Sequence, residues 1–261
     1  MNELKALLFD VDGTLADTER DGHRVAFNRA FADAGLDWHW TPELYGELLA
    51  VTGGKERIRF FIERYLDKFN TAFDRPADLD AFIKGLHAAK TDHYTQMLAE
   101  GAIPLRRGVK RLLSEARAAG MRMAVATTTT PANVEALLVH ALAPDAMSWF
   151  EVIAAGDVVP AKKPAPDIYD YAMQEMGLTP ADCIAFEDSH NGILSSRGAG
   201  LKTIITVNGY TAEDDFSGAA IVLDHFGEPD QPFKVLDGDA AALAQDSRCL
   251  DLALVKRLHA D

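Results

Sequence analysis

The chain has 261 residues, 48% of them hydrophobic, and 26 Lys and Arg against 40 Asp and Glu give it a net charge of -14. That length suits a core plus one inserted or appended domain, and the negative balance excludes nucleic acid and anionic membranes as general partners. Cys183 and Cys249 stand far apart with no CxxC or His cluster beside them, which indicates neither a disulfide scaffold nor a zinc site. With no apolar run of membrane-spanning length and no leader before the first apolar stretch, a soluble, cytoplasmic monomer is expected.

Leu7, Leu8 and Phe9 read as a strand buried on both faces, closed by Asp10-Val11-Asp12-Gly13-Thr14. Acids at the carboxyl end of such a strand face the crevice where α/β folds bind ligands. Two close carboxylates repel unless a cation or a proton lies between them, so Asp10 and Asp12 point to a divalent metal, to split acid and base roles, or to both. The same letters also occur in turns and in calcium loops. An EF-hand loop counted from Asp10 would need Glu at its twelfth position, where this chain has Asp21, and a helix before it rather than a strand.

From Thr18 to Arg106 the pattern is helical, with apolar residues at helical spacing over 25–36, 57–66 and 79–98. Breaks fall at Gly53-Gly54, at Asp74-Arg75-Pro76, and at Gly101 with Pro104. Thr18-Glu19 and His23-Arg24 read either as cap and helix surface or as hinge and sugar-hydroxyl contacts. Gly53 and Gly54 read either as a helix-initiating turn or as backbone N–H groups that, with Lys55 and Arg57, grip a phosphate remote from the reacting one. No P-loop pattern is present.

From Gly108 onward helix and strand alternate: helix 109–120, strand 121–127, helix 131–142, strand 152–157, helix 166–177, strand 183–188, helix 191–200 and strand 202–207. This is the pattern of βαβ units in a parallel sheet. A lone strand cannot bury two apolar faces, so the first strand belongs to that sheet. The expected organisation is therefore an α/β core over 1–17 and 107–261, interrupted by an all-helical cap over 18–106 that shields the strand ends as a lid. Beyond Val222 the chain reads as loop over 226–233 and as an amphipathic terminal helix over 249–260.

Three later strand ends open onto the same crevice as Asp10. Thr127, Thr128 and Thr129 offer hydroxyls and helix N-terminal amides to an oxyanion. Pro164 and Pro166 hold Lys163 in a defined position. Glu187 and Asp188 add two acids, and four carboxylates with one Lys form a set that Mg²⁺ completes, an Asp then serving as nucleophile toward phosphorus.

With DVDGT, Thr127, KKPAPD and EDS in this order, the chain closely resembles the haloacid dehalogenase superfamily of phosphohydrolases, cap included. The resemblance implies a Rossmannoid parallel-sheet core and an aspartyl-phosphate mechanism with Asp10 as nucleophile and Asp12 as acid/base. Thr127 and Lys163 would hold the phosphoryl group. Asp10, the Asp12 carbonyl, Glu187 and Asp188 would hold Mg²⁺, Glu187 directly or through water. DTE..GHR, TGGKER, TTT..NVEAL and KKP.PDIY further resemble the CbbY-type branch of sugar-bisphosphate phosphatases, which implies xylulose 1,5-bisphosphate as substrate. Lys55 with Gly53 and Gly54 would then hold the distal phosphate, and Glu19 and His23 would lie near the sugar. A phosphoglycolate phosphatase shares every core motif, so only the cap separates the two. In β-phosphoglucomutase a Lys-Asn pair stands where this chain has Thr130-Pro131. A phospho-accepting receiver module, the reading from a different class, arranges similar acids, Thr and Lys but has no inserted cap.

Overall fold

The computed structural model describes residues 3–51, 53–66, 73 and 76–261. Thr52 of the TGGKER stretch and the break at Asp74-Arg75 lie outside the described residues. The chain divides into two units, Met1–Asp17 with Pro104–Asp261, and Thr18–Ile103. Pro104, Leu105 and Arg106, which helical patterning places at the end of the insertion, belong to the first unit. Leu105 forms an antiparallel bridge with Ala16, and Arg106 N–H donates to the Leu15 carbonyl at 2.8 Å.

The first unit is built on a seven-stranded sheet in the order β3-β2-β1-β4-β5-β6-β7. The strands are β1 (Ala6–Phe9), β2 (Arg122–Thr127), β3 (Val152–Ala155), β4 (Cys183–Glu187), β5 (Lys202–Thr206), β6 (Ile221–Leu223) and β7 (Val235–Asp237). Pairing is parallel except between β6 and β7. This is the expected α/β parallel-sheet core. Strand order reverses at β1, with β2 on one side and β4 on the other, which makes the carboxyl end of β1 the topological switch point where such sheets bind ligands. Register fixes what meets there: Phe9 pairs with Val125 and with Phe186, so Asp10, Thr127 and Glu187 follow at adjoining strand ends.

Helices α5 (Val109–Ala118), α6 (Pro131–Leu137), α7 (Asp167–Met176), α8 (His190–Gly198) and α9 (Leu252–Ala260) accompany the sheet. Ile168, Tyr169, Ala172, Met173 and Met176 of α7 pack in one buried cluster with Leu8, Ala126, Ala154 and Ala185 of four strands. The segment after β6 is more ordered than sequence patterning suggests. It adds β7, and the Arg111 guanidinium on α5 binds the carbonyls of Phe226, Gly227 and Leu250 at 3.1 to 3.3 Å.

Among its described residues the second unit holds helices and turns and no strand. A π-helical turn, Thr18–His23, leads into α1 (Arg24–Asp33), followed by α2 (Pro42–Leu48), α3 (Gly54–Arg64) and α4 (Leu79–Ala99). Sequence periodicity passes over α2, which is only seven residues long with a Gly inside it, yet Thr41 caps it by accepting from Leu44 N–H and Pro42 begins it. The unit's core is aromatic, with Trp40 buried against Phe27, Phe31, Tyr45 and Phe61 at centroid distances of 4.7 to 5.9 Å. No described helix is long and apolar enough to cross a membrane.

Phe9 is fully buried, stacked on Phe186 at 4.3 Å and edge-on to Phe150 at 6.5 Å. Phe9→Ala leaves a cavity directly beneath Asp10 and lowers stability by about 3–5 kcal/mol, read as a lower urea midpoint at unchanged slope.

Candidate active site

The site grows out of the ends of β1 and β4 and the segment between β3 and α7. Asp10 N–H donates to the Phe186 carbonyl at 3.0 Å, which extends the sheet ladder one residue beyond β1 and sets the Asp10 side chain beside that of Glu187. Lys163 comes from the Pro-flanked approach to α7 and donates to Asp10 Oδ1 at 2.7 Å and to Glu187 Oε1 at 2.5 Å. All three side chains are almost completely shielded, with exposures of 7%, 8% and 1% for Lys163, Asp10 and Glu187. Asp188, also buried, completes an acidic cluster in which Asp10, Glu187 and Asp188 each offer a carboxylate oxygen within 4.8 Å of the others. The structure thus brings together Asp10, Lys163, Glu187 and Asp188 of the residues singled out from sequence.

Electrostatics follow from that crowding. Burial works against the Lys163 charge, but Asp10 and Glu187 outweigh it and hold the proton above the ordinary lysine value. Burial pushes the Glu187 carboxyl up to about 7 while Lys163 pulls the other way. Asp188 is driven well above the usual carboxylate range by burial and by the charges of Asp10 and Glu187, with Arg106 opposing. Three buried carboxylates around one ammonium leave negative charge to neutralise. An all-oxygen donor set of this kind fits a hard divalent cation such as Mg²⁺.

Sequence patterning passed over two residues that fix these acids. Tyr169 O–H donates to Glu187 Oε1 at 2.6 Å, and Asn208 Nδ2 donates to Asp188 Oδ2 at 2.7 Å. Tyr169 lies on the apolar stripe of α7 and reads as core, while Asn208 precedes a Gly and reads as a turn. Two glycines permit the packing. Gly13 has φ +88°, and a Cβ there would overlap Asp188; a Cβ at Gly192 would overlap the Glu187 carboxylate.

The other candidate residues of this unit stand nearby in the fold. Asp12 is half-buried in the loop after β1 and bridges to Ala16. Thr127 is buried at the end of β2, and its Oγ1 accepts from Thr129 N–H at 3.4 Å. Thr128 is exposed, Thr129 Oγ1 accepts from Asn133 Nδ2 at 3.2 Å, and Thr130 caps α6.

The second unit carries the remaining candidates. Glu19 Oε2 accepts from Tyr45 O–H at 2.6 Å, and the buried Arg57 donates to the same hydroxyl at 2.8 Å. Arg57 Nε also donates to the Leu48 carbonyl at 3.2 Å, ahead of Gly53-Gly54. His23 is stacked on Tyr94 at 4.0 Å, and its Nδ1 accepts from the buried Lys90 at 2.8 Å. Burial, followed by the charges of Lys90 and Arg57, holds the imidazole well below its ordinary value. Gly53 has φ +96° at the start of α3, and Gly54 packs against His87, whose ring would lie 2.6 Å from a Cβ there. Lys55 is exposed in the first turn of α3. Lys90, too, escapes sequence patterning, because it sits within the apolar-spaced run of α4.

A family model described as haloacid dehalogenase-like hydrolase matches residues 4–200. The plasmid CbbY protein of Cupriavidus necator is 44% identical over 256 residues, which cover 98% of this chain and 97% of that protein. CbbY of Rhodobacter capsulatus is 51% identical over 217 residues, 83% of this chain and 91% of that protein. Among solved structures, a CbbY mutant from Rhodobacter sphaeroides in complex with xylulose-(1,5)bisphosphate superimposes with a TM-score of 0.70 at 44% identity. That match covers 95% of this chain and 100% of the other. Strand ends that gather Asp10, Lys163, Glu187 and Asp188 are thus carried by a sequence whose likeness runs nearly end to end, and the chain belongs to the haloacid dehalogenase-like hydrolases.

Proposed function

We propose that this protein is a Mg²⁺-dependent sugar-bisphosphate phosphatase and that xylulose 1,5-bisphosphate is its substrate. The observation that carries the reading is the buried cluster in which Lys163 joins Asp10 to Glu187 beside Asp188. The substrate is inferred from the bisphosphate bound by the Rhodobacter sphaeroides relative.

In this mechanism an Asp10 oxygen attacks phosphorus and the ester oxygen leaves, taking a proton from Asp12. A water then attacks the aspartyl phosphate, giving its proton back to Asp12, and phosphate departs with Asp10 restored. Lys163 and the Thr127 hydroxyl, with the amides of Thr128 and Thr129, bind the phosphoryl oxygens, since phosphoryl transfer depends chiefly on positioning and charge stabilisation. Asp10, the Asp12 carbonyl, Glu187 and Asp188 would hold Mg²⁺, which when bound supplies positive charge to the phosphoryl oxygens. Tyr169 and Asn208 keep Glu187 and Asp188 in place. To the second unit the reading assigns Lys55 and the backbone at Gly53-Gly54 for the far phosphate, and Glu19 and His23, held by Tyr45 and Lys90, for the sugar hydroxyls.

Phosphate release measured across pentulose and hexose mono- and bisphosphates tests the reading. Turnover requires Mg²⁺ and favours bisphosphates; equal rates on monophosphates would defeat the substrate assignment. Asp12→Asn retains binding, with KM within a few-fold, and loses about 10²–10⁴-fold in kcat. Lys55→Ala lowers kcat/KM about tenfold for bisphosphates and leaves monophosphates nearly unchanged, as expected for one exposed charge-assisted contact. Mg²⁺ added to chelator-treated protein raises Tm, by the equivalent of about 2.7 kcal/mol at a hundredfold excess over Kd, and Asp188→Asn abolishes that rise.

A further inference from the structure

The two chain segments that leave and re-enter the first unit around the insertion are stitched to each other and to the loop that carries Asp12. Asp12 bridges to Ala16, Ala16 bridges to Leu105, and Arg106 N–H donates to the Leu15 carbonyl at 2.8 Å. Gly13 N–H donates to the Ala16 carbonyl at 2.7 Å. The far side of Gly13 is held by a side chain: Arg106 Nη1 donates to the Gly13 carbonyl.

The same guanidinium reaches the end of β5 and beyond. Nη1 donates to the Thr206 carbonyl at 2.9 Å and to Thr206 Oγ1 at 3.1 Å. Nη2 donates to the Val207 carbonyl at 2.5 Å and to the Asp224 carbonyl at 3.1 Å. Residue 208, next along, is the asparagine that fixes Asp188. One planar group therefore ties the Asp12 loop to the backbone on which Asn208 stands, and its fork of fixed donors suits carbonyls arriving from three loops.

We propose that Arg106 is a positioning residue for acid/base catalysis: by clamping the Gly13 carbonyl to the end of β5, it fixes the backbone from which Asp12 reaches the leaving oxygen. This inference rests on the phosphatase reading above. The hydrogen bonds just named run from Arg106 to protein carbonyls and Thr206 Oγ1, so the role inferred is exerted through the Asp12–Gly13 backbone. Proton transfer needs donor and acceptor within hydrogen-bond reach, and a displacement of about 1 Å costs about a hundredfold in rate. Loss of the clamp therefore appears in kcat rather than in substrate binding.

The test compares wild type, Arg106→Lys and Arg106→Ala by steady-state kinetics and by amide hydrogen exchange, each variant being checked for folding by thermal melting. Arg106→Ala loses about 10–100-fold in kcat with KM within about threefold. Arg106→Lys keeps the charge, lacks the fork and recovers only part of the rate. Methylguanidinium added to Arg106→Ala restores part of kcat and leaves the KM of wild type unchanged. Exchange rises over 13–17 and 206–208 in both variants and stays at the wild-type level in α7. Wild-type kcat in a folded Arg106→Ala, a loss carried wholly by KM, or unchanged exchange over 13–17 would each overturn the proposal. Failure of the phosphatase reading is a separate result, seen in wild type itself as no Mg²⁺-dependent phosphate release from any sugar phosphate, and the exchange measurement still decides whether the clamp exists.

Discussion

Carboxylates held out of water within a few ångströms of one another repel strongly, and at the end of β1 a single ammonium answers three of them. A buried charge of this kind persists only where its partners are placed for it. The placement comes from the sheet: pairing of Phe9 with Phe186 is parallel and in register, so the next residues on both strands, Asp10 and Glu187, emerge side by side. Lys163 arrives from the far side of β2 and closes the gap. Tyr169 then donates to the same Glu187 Oε1 that Lys163 binds, and Asn208 donates to Asp188 Oδ2. The residual negative charge fits the cluster to a hard divalent cation, whose charge would offset the repulsion between phosphate and a protein of this net charge.

The α/β core was legible because strands covered on both faces are short continuous apolar runs, and each of the central ones ends in a polar residue that has no business in a core. Asp10, Thr127, Glu187 and Asp188 announce themselves in that way. Lys163 does so through the prolines beside it. Elements with weak patterns were not legible: β6 has three residues, β7 is exposed along its whole length, and α2 holds a Gly within seven residues. Tyr169 and Lys90 were hidden for another reason. Each buries an apolar body at helical spacing and offers only its terminal atom to a polar partner, Glu187 or His23, so periodicity assigns both to the core.

Asn208 and Arg106 illustrate a third limit. Their roles depend on where loops distant in sequence come to rest: Gly13 and Thr206 are each about a hundred residues from Arg106, and no local pattern records that meeting. Helical spacing also carries the eye past residue 103, which puts Arg106 in the insertion. The Ala16–Leu105 bridge returns it to the sheet-bearing unit.

Arg57 and Arg106 share a physical device. Where a loop leaves regular structure its carbonyls lose their ladder partners, and buried carbonyls left unpaired cost about 1–3 kcal/mol each. A guanidinium satisfies several at once from one planar, permanently charged group. In the second unit Arg57 binds the Leu48 and Val51 carbonyls and the Tyr45 hydroxyl, and so fixes the segment before Gly53-Gly54 together with Glu19. In the first unit Arg106 does the same for Gly13, Thr206, Val207 and Asp224. A hydrophobic core cannot do this work, because the groups to be held are polar. The rigidity of this site thus comes from the sheet for Asp10 and Glu187 and from arginine for the loops, and a lysine at either arginine position would keep the charge while releasing the geometry.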